Sequence, residues 1–374
     1  MSRTDLNAAG PPTTPSEETA VTTVTDRPAT DGASRDGARA GGHDFGKLWD
    51  NWGMTGCLAV LVVVAAVLSP DFISLANIQS VLTESAYLGI VAAAMTIAII
   101  NGTFDLSVGG QLALVSVLSL MGYEAGGTLM AIAAAVGGGL ACGLVNGTLV
   151  TVFRVPPFVA TLGMLFVFRG IAYILTEDSP AVLPYSEIDS GFAQLGSARV
   201  AQIQVTFIIM VVFFVIAAIF LRHTASGRRV LAYGSSPEAA RFTGVSATRV
   251  RFLVFGLLGL AVGIAVLTYV TRIWTADGAT QDGFELRVIT AAVLGGASLQ
   301  GGKGSLMGTF SAVLLVAVLN DLMVDQGASA GVQQMVLGTV LIVALGIDGV
   351  RTKYAGRVRA FFSRRRTGRE PVTT

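Results

Sequence analysis

The chain is organised around residues 222–251, RHTASGRRVLAYGSSPEAARFTGVSATRVR, a polar stretch between two apolar runs of membrane-spanning length. We call it the basic segment. Within it, Ser236 is suited to cap a helix, Pro237 fits the first helical position, and Glu238 lies where the helix dipole favours an acid. Gly244 then provides a C-terminal stop. These residues predict a helix of roughly 7 residues, which is too short to be stable alone in water.

This short helix has two interpretations, and the residues alone leave both open. In the first, it is a docking helix on the inner face of the membrane that carries the small residues Ala239 and Ala240 and the aromatic Phe242 to a partner. In the second, it is an ordered loop that only connects two spans.

Composition places the chain in the membrane. It has 374 residues, of which 52% are hydrophobic and 13% charged, and its mean hydropathy is +0.68. Soluble domains carry about 25% charged residues, so half that fraction together with long apolar runs indicates an integral membrane protein. The net charge of +1 supports no argument about partners. Cys57 and Cys142 lie in apolar runs and provide neither disulfide nor metal-binding spacing.

The apolar runs predict an all-α polytopic membrane protein with about 10 transmembrane helices. The runs are at about 52–69, 85–100, 107–122, 128–152, 158–176, 204–221, 252–271, 286–300, 305–320 and 332–350. Several are nearer about 15 residues than 20, and such segments cross only when tilted or when buried between neighbouring helices.

Loop charges predict the orientation, because positively charged loops stay in the cytoplasm. The basic segment holds six Arg against one Glu, and the chain from Arg351 onward holds eight Lys or Arg against Glu370. The alternate loops, 176–203 and 321–331, are acidic. With ten crossings, every loop falls on its expected side and both termini are cytoplasmic.

Three regions follow from this pattern. Residues 1–46 lack periodicity and are rich in Thr, Ala, Gly and Pro, so we expect a disordered cytoplasmic tail. Residues 47–352 form the transmembrane domain, with the basic segment as an internal loop, and 353–374 form a basic cytoplasmic tail. The first apolar run begins near Met54, too late for a cleavable signal peptide.

Residues 101–110, NGTFDLSVGG, interrupt an otherwise apolar stretch, and we call the first part, 101–107, the polar break. A carboxylate is costly in hydrocarbon, so Asp105 should face the bundle interior, water or a helix end. Asp105 or Ser107 is suited to cap the helix that restarts after the break. The alternative is direct contact between Asp105 and substrate.

Residues 294–305, LGGASLQGGKGS, form a second interruption, the glycine loop. A phosphate-binding loop needs Gly, four residues and then Gly-Lys-Ser/Thr. Here Ala297 occupies the required glycine position and Gly304 follows Lys303, so nucleotide hydrolysis is excluded. His43 and His223 assemble no catalytic set with other residues, and we expect no catalytic residues, metal or cofactor.

Charged side chains within the spans should be paired. Arg169 lies inside an apolar run, whereas Glu84, Glu285 and Arg287 lie at or near span ends. An internal ion pair between Arg169 and one of the acids is one interpretation, and contact with a sugar hydroxyl is the other. Small-residue repeats such as Gly139-Gly143-Gly147 predict close helix packing and carry no information about substrate.

Side by side, these stretches resemble the ribose-type permease subunits of bacterial ATP-binding-cassette importers for simple sugars. The similarity covers about 50–352, and four motifs carry it. They are 105–109 (DLSVG), 156–163 followed by Arg169 and Gly170 (PPFVATLG…RG), the glycine loop, and Glu238-Ala239-Ala240 with Gly244.

The resemblance implies a type II importer fold in the cell membrane, surrounded by lipid. It also implies three partners: an ATPase subunit, an extracytoplasmic sugar-binding protein and a second permease copy. No nucleic acid is expected. It favours the docking interpretation of the short helix. The residues it assigns to ATPase coupling are Ser236, Pro237, Glu238, Ala239, Ala240, Phe242 and Gly244. Those it assigns to the translocation path are Asp105, Ser107, Thr161, Arg169 and Glu285.

Two alternatives stay open. A permease of the same architecture could carry nucleosides or branched-chain amino acids, and an ion-coupled secondary transporter would work without an ATPase. The chain also departs from the resemblance at Arg287, where the family commonly has an acid after the GYEL-like segment, here 283–287. A positive charge in place of a negative one near the outer mouth is expected to affect substrate preference or docking of the binding protein.

Overall fold

A computed structural model describes residues 43–177, 179–187 and 190–346. A compact unit begins at Gly46 and carries the helices named below, apart from the first residues of α1. The predicted tails, 1–46 and 353–374, lie outside the described residues except at 43–46, where the first helix begins. The limits of the three predicted regions stay a prediction.

The described residues fold mainly into α-helices, which confirms the predicted all-α polytopic architecture. The helices are α1 (His43–Leu68), α2 (Leu75–Ile100), α3 (Val108–Thr151), α4 (Pro157–Thr176), α5 (Gly191–Ser197), α6 (Val205–His223), α7 (Ala225–Ser235), α8 (Pro237–Phe242), α9 (Ala247–Ile273), α10 (Phe284–Leu294), α11 (Leu306–Asp325) and α12 (Ala330–Gly346). The strands are β1 (Ala181–Val182), β2 (Arg199–Val200), β3 (Ile203–Gln204) and β4 (Thr275–Ala276), and 3-10 turns cover Pro70–Ile73 and Tyr185–Glu187.

Helix α2 is the centre of the bundle. The Ser74 hydroxyl caps its start by accepting a hydrogen bond from the backbone N–H of Asn77 at 3.2 Å. From Leu88 to Ile100 its side chains are apolar on all sides except at Thr96, and Ile90, Met95 and Ile99 are fully buried. A helix that is hydrophobic all round must lie within the protein. Accordingly, α6, α9, α10 and α11 all pack against it.

Helix α3 is a hairpin of two helices. At Gly126 and Gly127 the backbone leaves helical geometry, and Gly127 has φ 68° and ψ −158°, a conformation that only glycine adopts readily. The returning half packs back on the first half, where the Ser119 hydroxyl donates to the Ala131 carbonyl at 3.2 Å. The two predicted runs, 107–122 and 128–152, correspond to these two halves.

The returning half of α3 interlocks with α9 through glycines. A side-chain carbon at Gly143 would overlap the Phe255 carbonyl oxygen, and one at Gly259 would overlap that of Gly139. The two backbones therefore touch directly, as the small-residue spacing predicted.

Six described helices are long and apolar enough to cross a membrane: α2, α3, α4, α6, α9 and α11. Shorter apolar helices cover Gly53–Leu68 and Ala330–Gly346. The predicted run 286–300 is largely α10, which has 11 residues and ends at Leu294. At 1.5 Å per residue this is about 16 Å, roughly half the hydrocarbon thickness, because the glycine loop stops the helix. The count of ten crossings stays a prediction.

The segment between α4 and α6 and the segment between α9 and α10 are joined at one end of the bundle. Strand β1 pairs antiparallel with β4, with Ala181 opposite Ala276. Helix α5 packs against α9 so closely that a side-chain carbon at Gly196 would overlap the Thr271 carbonyl oxygen. These contacts hold in place the turn of residues 277–283 that leads into α10.

Candidate functional site

The short helix predicted in the basic segment is present as α8. The Ser236 hydroxyl accepts a hydrogen bond from the Ala239 N–H at 3.3 Å, and Pro237 opens the helix. Glu238 lies in the first turn, where an acid offsets the helix dipole. Gly244 follows the end with φ 81°, so its lack of a side chain permits the stop. The helix has 6 residues.

Helix α8 displays most of its surface. Ser236, Pro237, Glu238 and Ala239 are exposed. Phe242 is 93% exposed, whereas Ala240 is only 4% exposed and packs inward. Phe242 is therefore accessible to another molecule, and the docking interpretation of α8 stays a prediction.

Helix α7 was missed by the sequence reasoning, which predicted only the one short helix in the basic segment. Its N-terminus is capped by the Thr224 hydroxyl, which accepts from the Gly227 N–H at 2.9 Å. Val230 and Tyr233 are buried, and Arg251 of α9 lies over the Tyr233 ring at 5.6 Å. The threonine cap and the i, i+3 spacing of Val230 and Tyr233 were the signals available in the sequence.

The end of α7 touches both interruptions of the bundle. The Gly302 N–H in the glycine loop donates to the Ile100 carbonyl at the end of α2, at 2.8 Å. A side-chain carbon at Gly234 would overlap the same Ile100 oxygen, and one at Gly302 would lie 2.9 Å from the Ser235 Cα. We call this contact of α7, α2 and the glycine loop the glycine junction.

Asp105, in the polar break, is wholly buried and fully hydrogen-bonded. Its Oδ1 accepts from the Ser107 N–H at 2.8 Å and from the Ser107 hydroxyl at 2.6 Å. Its Oδ2 accepts from the side-chain amides of Gln111 at 3.0 Å and Asn146 at 2.9 Å. Because Asn146 belongs to the returning half of α3, the carboxylate joins the start of that helix to its end.

Ser107 is at the N-cap position of α3, but its side chain makes no capping hydrogen bond to the helix. Asp105 accepts from Ser107 rather than from a backbone N–H of α3, and Ser107 is equally buried. Thr161 is also buried, and its hydroxyl donates to the Pro157 carbonyl of its own helix at 2.9 Å. No hydrogen bond among the described residues joins Thr161 to Asp105. A role of these three residues in substrate contact stays a prediction.

Arg169 makes the predicted internal ion pair. Its Nη2 lies 3.2 Å from Asp282 Oδ1 and 4.0 Å from Glu285 Oε2. The guanidinium also donates to the carbonyls of Gly278 at 3.1 Å and Gln281 at 3.4 Å. Glu285 was among the predicted partners and Asp282 was not, since sequence separation gives no information about which loop reaches the helix.

Gly109 makes room for this ion pair. A side-chain carbon at Gly109 would overlap Glu285 Oε2 and lie 3.4 Å from Arg169 Nη2. Glu285 Oε2 is buried and accepts no hydrogen bond from the described residues. Helices α3, α4 and α10 therefore meet at one charged point.

Arg287 lies outside that ion pair. Its guanidinium donates to the Gln281 side-chain oxygen and lies over the Phe284 ring, 5.8 Å from its centroid. Arg287, the position at which the chain departs from the family resemblance, is thus held against the turn of residues 277–283. Backbone carbonyls of the same turn bind Arg169.

Within the described ranges, no group of three or more His, Cys, Asp or Glu side chains could hold a metal ion. Cys57 is exposed in the single chain and Cys142 is buried. The polar clusters above join helices to the polar break and to the turn of residues 277–283 through hydrogen bonds and ion pairs, an arrangement that organises a bundle.

Comparison with known proteins gives a consistent result. Residues 77–345 match the family described as "Branched-chain amino acid transport system / permease component". The chain is 34% identical over 293 residues to the ribose import permease protein RbsC of Escherichia coli strain K12, covering 78% of this chain and 91% of the relative.

Two further relatives extend the comparison. Identity to the ribose import permease protein RbsC of Bacillus subtilis is 36% over 293 residues, with 78% of this chain and 90% of the relative covered. The L-arabinose transport system permease protein AraH of Escherichia coli is 31% identical over 321 residues, with 86% and 97% covered. No solved structure matches the chain significantly.

Proposed function

Because the chain belongs to the family described as branched-chain amino acid transport system / permease component, we propose that it is the permease subunit of an ATP-binding-cassette importer for a simple sugar. The assignment of a sugar as the substrate rests on the similarity to two ribose import permeases over about nine-tenths of their length. Family membership makes the chain a transport permease rather than an enzyme, and a multi-pass protein of the cell membrane.

A branched-chain amino acid is the second candidate substrate, because the family description names it. The named relatives are ribose and arabinose permeases, and they cover most of the chain. We therefore place the sugar first. A monosaccharide such as ribose, xylose or galactose is the expected cargo.

An importer of this class includes an ATPase and a substrate-binding protein. We place the ATPase contact on α8, where Glu238 and Phe242 are exposed and Ser236 and Gly244 fix the helix ends. Two observations support this placement: the 93% exposure of Phe242 and the inward packing of Ala240, which anchors α8 to its own protein.

The outer surfaces of α4 and α6 suit lipid and a second permease copy. Large apolar side chains on them are exposed, including Phe166, Ile174 and Ile216. Surfaces of this kind in a membrane protein face hydrocarbon or another helix bundle. A homodimer whose two copies enclose the path is the proposed assembly.

The basic segment is proposed to lie in the cytoplasm, with both termini on the same side. Its six arginines against one glutamate favour that side. The β1–β4 pair and the turn of residues 277–283 then lie at the outer face, where the binding protein docks.

ATP binding would act on the spans through the glycine junction. ATPase closure displaces α8, and the rigid backbone contact of Gly234 with Ile100 transmits the displacement to α2. Because α2 is the central helix, its movement alters packing across the bundle. The driving free energy comes from the different ATP affinity of the two states, not from this chain. We place the Arg169–Glu285 pair at the translocation path, where that movement would rearrange it.

The test is uptake of radiolabelled ribose, arabinose, galactose and leucine into proteoliposomes that contain this chain with its ATPase and binding protein. We expect one sugar to accumulate and leucine not to accumulate. Omission of the ATPase is the first control, and accumulation without it, abolished by a protonophore, would indicate a secondary transporter instead. Accumulation of leucine alone would replace the sugar by the second candidate.

A further inference from the structure

A cavity of about 190 Å³ lies between α2, the last turns of α9 and the turn that precedes α10. It is smaller than the pockets of about 300 Å³ and more that hold drug-sized ligands, so it suits a small molecule. The residues that line it and carry polar groups are Glu84, Tyr87, Thr268, Tyr269, Arg272 and Gln281. None of them was predicted as a path residue.

The floor of the cavity is aromatic and rigid. The rings of Tyr87 and Tyr269 meet edge to face with centroids 5.3 Å apart, and Tyr87 also packs on Phe284 at 5.8 Å. Tyr87 and Tyr269 are both buried. Aromatic rings with hydroxyl groups offer an apolar face and a hydrogen-bonding edge, which together match the two kinds of surface on a sugar.

The wall carries a carboxylate with free hydrogen-bonding capacity. Glu84 Oε1 accepts from the Asn320 amide at 2.7 Å, which fixes the side chain. The second carboxylate oxygen accepts no hydrogen bond from the described residues. Arg272 and Arg287 are the cations whose charges act on Glu84, and Arg272 is held by the Ser80 hydroxyl at 3.2 Å.

The charge balance favours a neutral ligand over an amino acid. An amino acid needs an unmatched carboxylate for its ammonium group and an apolar pocket for its side chain. Here two arginines already offset Glu84 and the neighbouring acid Asp321, and the walls are mostly hydroxyl, amide and aromatic. A polyhydroxyl ligand both donates to the carboxylate and accepts from the arginine and amide groups.

Resting on the proposed function, we propose that this cavity is a monosaccharide-binding subsite of the permease, where Glu84, Tyr269 and Arg272 bind the sugar before it enters the bundle. Gln281 connects it with the Arg169 cluster. Its carbonyl accepts from Arg169 at 3.4 Å, and its side-chain oxygen accepts from Arg287. Binding of a sugar in the subsite would therefore alter the contacts of the ion pair between α4 and α10.

The test compares sugar delivered per ATP hydrolysed, in proteoliposomes holding the complete importer, for wild type, Glu84→Gln and Tyr269→Phe. Each substitution removes one ligand hydrogen bond, so we expect delivery per ATP to fall about three- to tenfold. Asp325→Asn is the matched control, because Asp325 is an exposed acid that lines a different cavity, and it should behave as wild type.

A second measurement does not depend on those variants folding. Ile273 lines the cavity and is 44% exposed, so Ile273→Cys should react with a membrane-impermeant thiol reagent in a Cys57→Ser background. The transported sugar should slow labelling at least threefold, and leucine should not, as direct occupancy requires.

The outcomes separate the two proposals. If wild type imports no sugar, the proposed function fails. If wild type imports sugar while Glu84→Gln and Tyr269→Phe deliver it normally, or labelling is absent or unaffected by sugar, the subsite is wrong. Protection by leucine and not by sugar would overturn the assigned ligand class.

Discussion

At the scale of the residue, Asp105 shows how a buried charge can hold a broken helix together. An ionised carboxylate in hydrocarbon is tolerated only when its oxygens are hydrogen-bonded. All four donors come from Ser107, Gln111 and Asn146, so each oxygen has two. The carboxylate is therefore satisfied without a substrate, whereas the side-chain oxygens of Gln111 and Asn146 are buried and accept no hydrogen bond from the described residues.

We predict that Asp105→Asn lowers folded protein and transport together. The new amide would point a donor at the amides of Gln111 and Asn146, at a cost of about 1–3 kcal/mol. Thermal unfolding in detergent and uptake in cells measure the two effects. Asp71→Asn, at an exposed acid, is the control. A loss of transport with normal stability would instead support direct substrate contact.

Gly109 gives a second prediction at this scale. Gly109→Ala should destabilise the protein by about 1–3 kcal/mol, because the added methyl group displaces the Glu285 carboxylate from Arg169. In the Glu285→Ala background, the same substitution should cost much less, as denaturation in detergent would measure. Gly163→Ala is the control, since nothing lies within 4 Å of that position. Strictly additive effects would show that the methyl group and the carboxylate do not meet.

At the scale of the element, α8 is short, capped at both ends and exposed along one side. A helix of 6 residues depends on its surroundings for stability, and here the inward-facing Ala240 and the preceding helix α7 supply them. The remaining face is available to a partner.

We predict that Phe242→Ala weakens ATPase binding about tenfold or more while leaving permease stability within about 0.5 kcal/mol. The reason is that Phe242 contributes surface to the partner and almost none to its own fold. Affinity is measured with purified ATPase and detergent-solubilised permease. Leu129→Ala, at a side chain that is 79% exposed in α3, should change neither quantity. Unchanged ATPase affinity in Phe242→Ala would place the contact elsewhere.

Elements whose signals are local could be predicted from sequence. Ser236, Pro237 and Gly244 mark both ends of α8, and the glycine spacing anticipated the contact of α3 with α9. Contacts between distant segments could not be predicted, since nothing near Arg169 identifies Asp282 as its partner. The cavity beside Glu84 is likewise formed by side chains more than 180 positions apart in sequence, as Glu84 and Thr268 are. Helix α7 was missed because its buried face has only two large side chains, Val230 and Tyr233, and its arginines make the segment polar in composition.

At the scale of the whole molecule, the glycine junction joins the proposed ATPase contact to the central helix. Three segments meet there through backbone atoms, with no flexible side chain between them. Since backbone contacts are less compliant than side-chain contacts, displacement at α7 should reach α2 with little loss.

We predict that Gly234→Ala reduces sugar delivered per ATP by about 2- to 30-fold, the range expected for loss of energetic coupling between two sites. The methyl group would separate α7 from the Ile100 carbonyl. ATPase binding should persist, because α8 itself is unaltered. Gly137→Ala, where nothing lies within 4 Å, is the control. Normal delivery per ATP would exclude the junction from coupling.

The glycine turn of α3 also bears on biogenesis. Its two halves span 44 residues, which a ribosome makes in about 2–9 s at about 5–20 residues per second. The connection at Gly126 and Gly127 offers no long polar loop to translocate on its own. The insertion machinery would therefore receive both halves almost together, and we expect them to enter the bilayer as one paired unit.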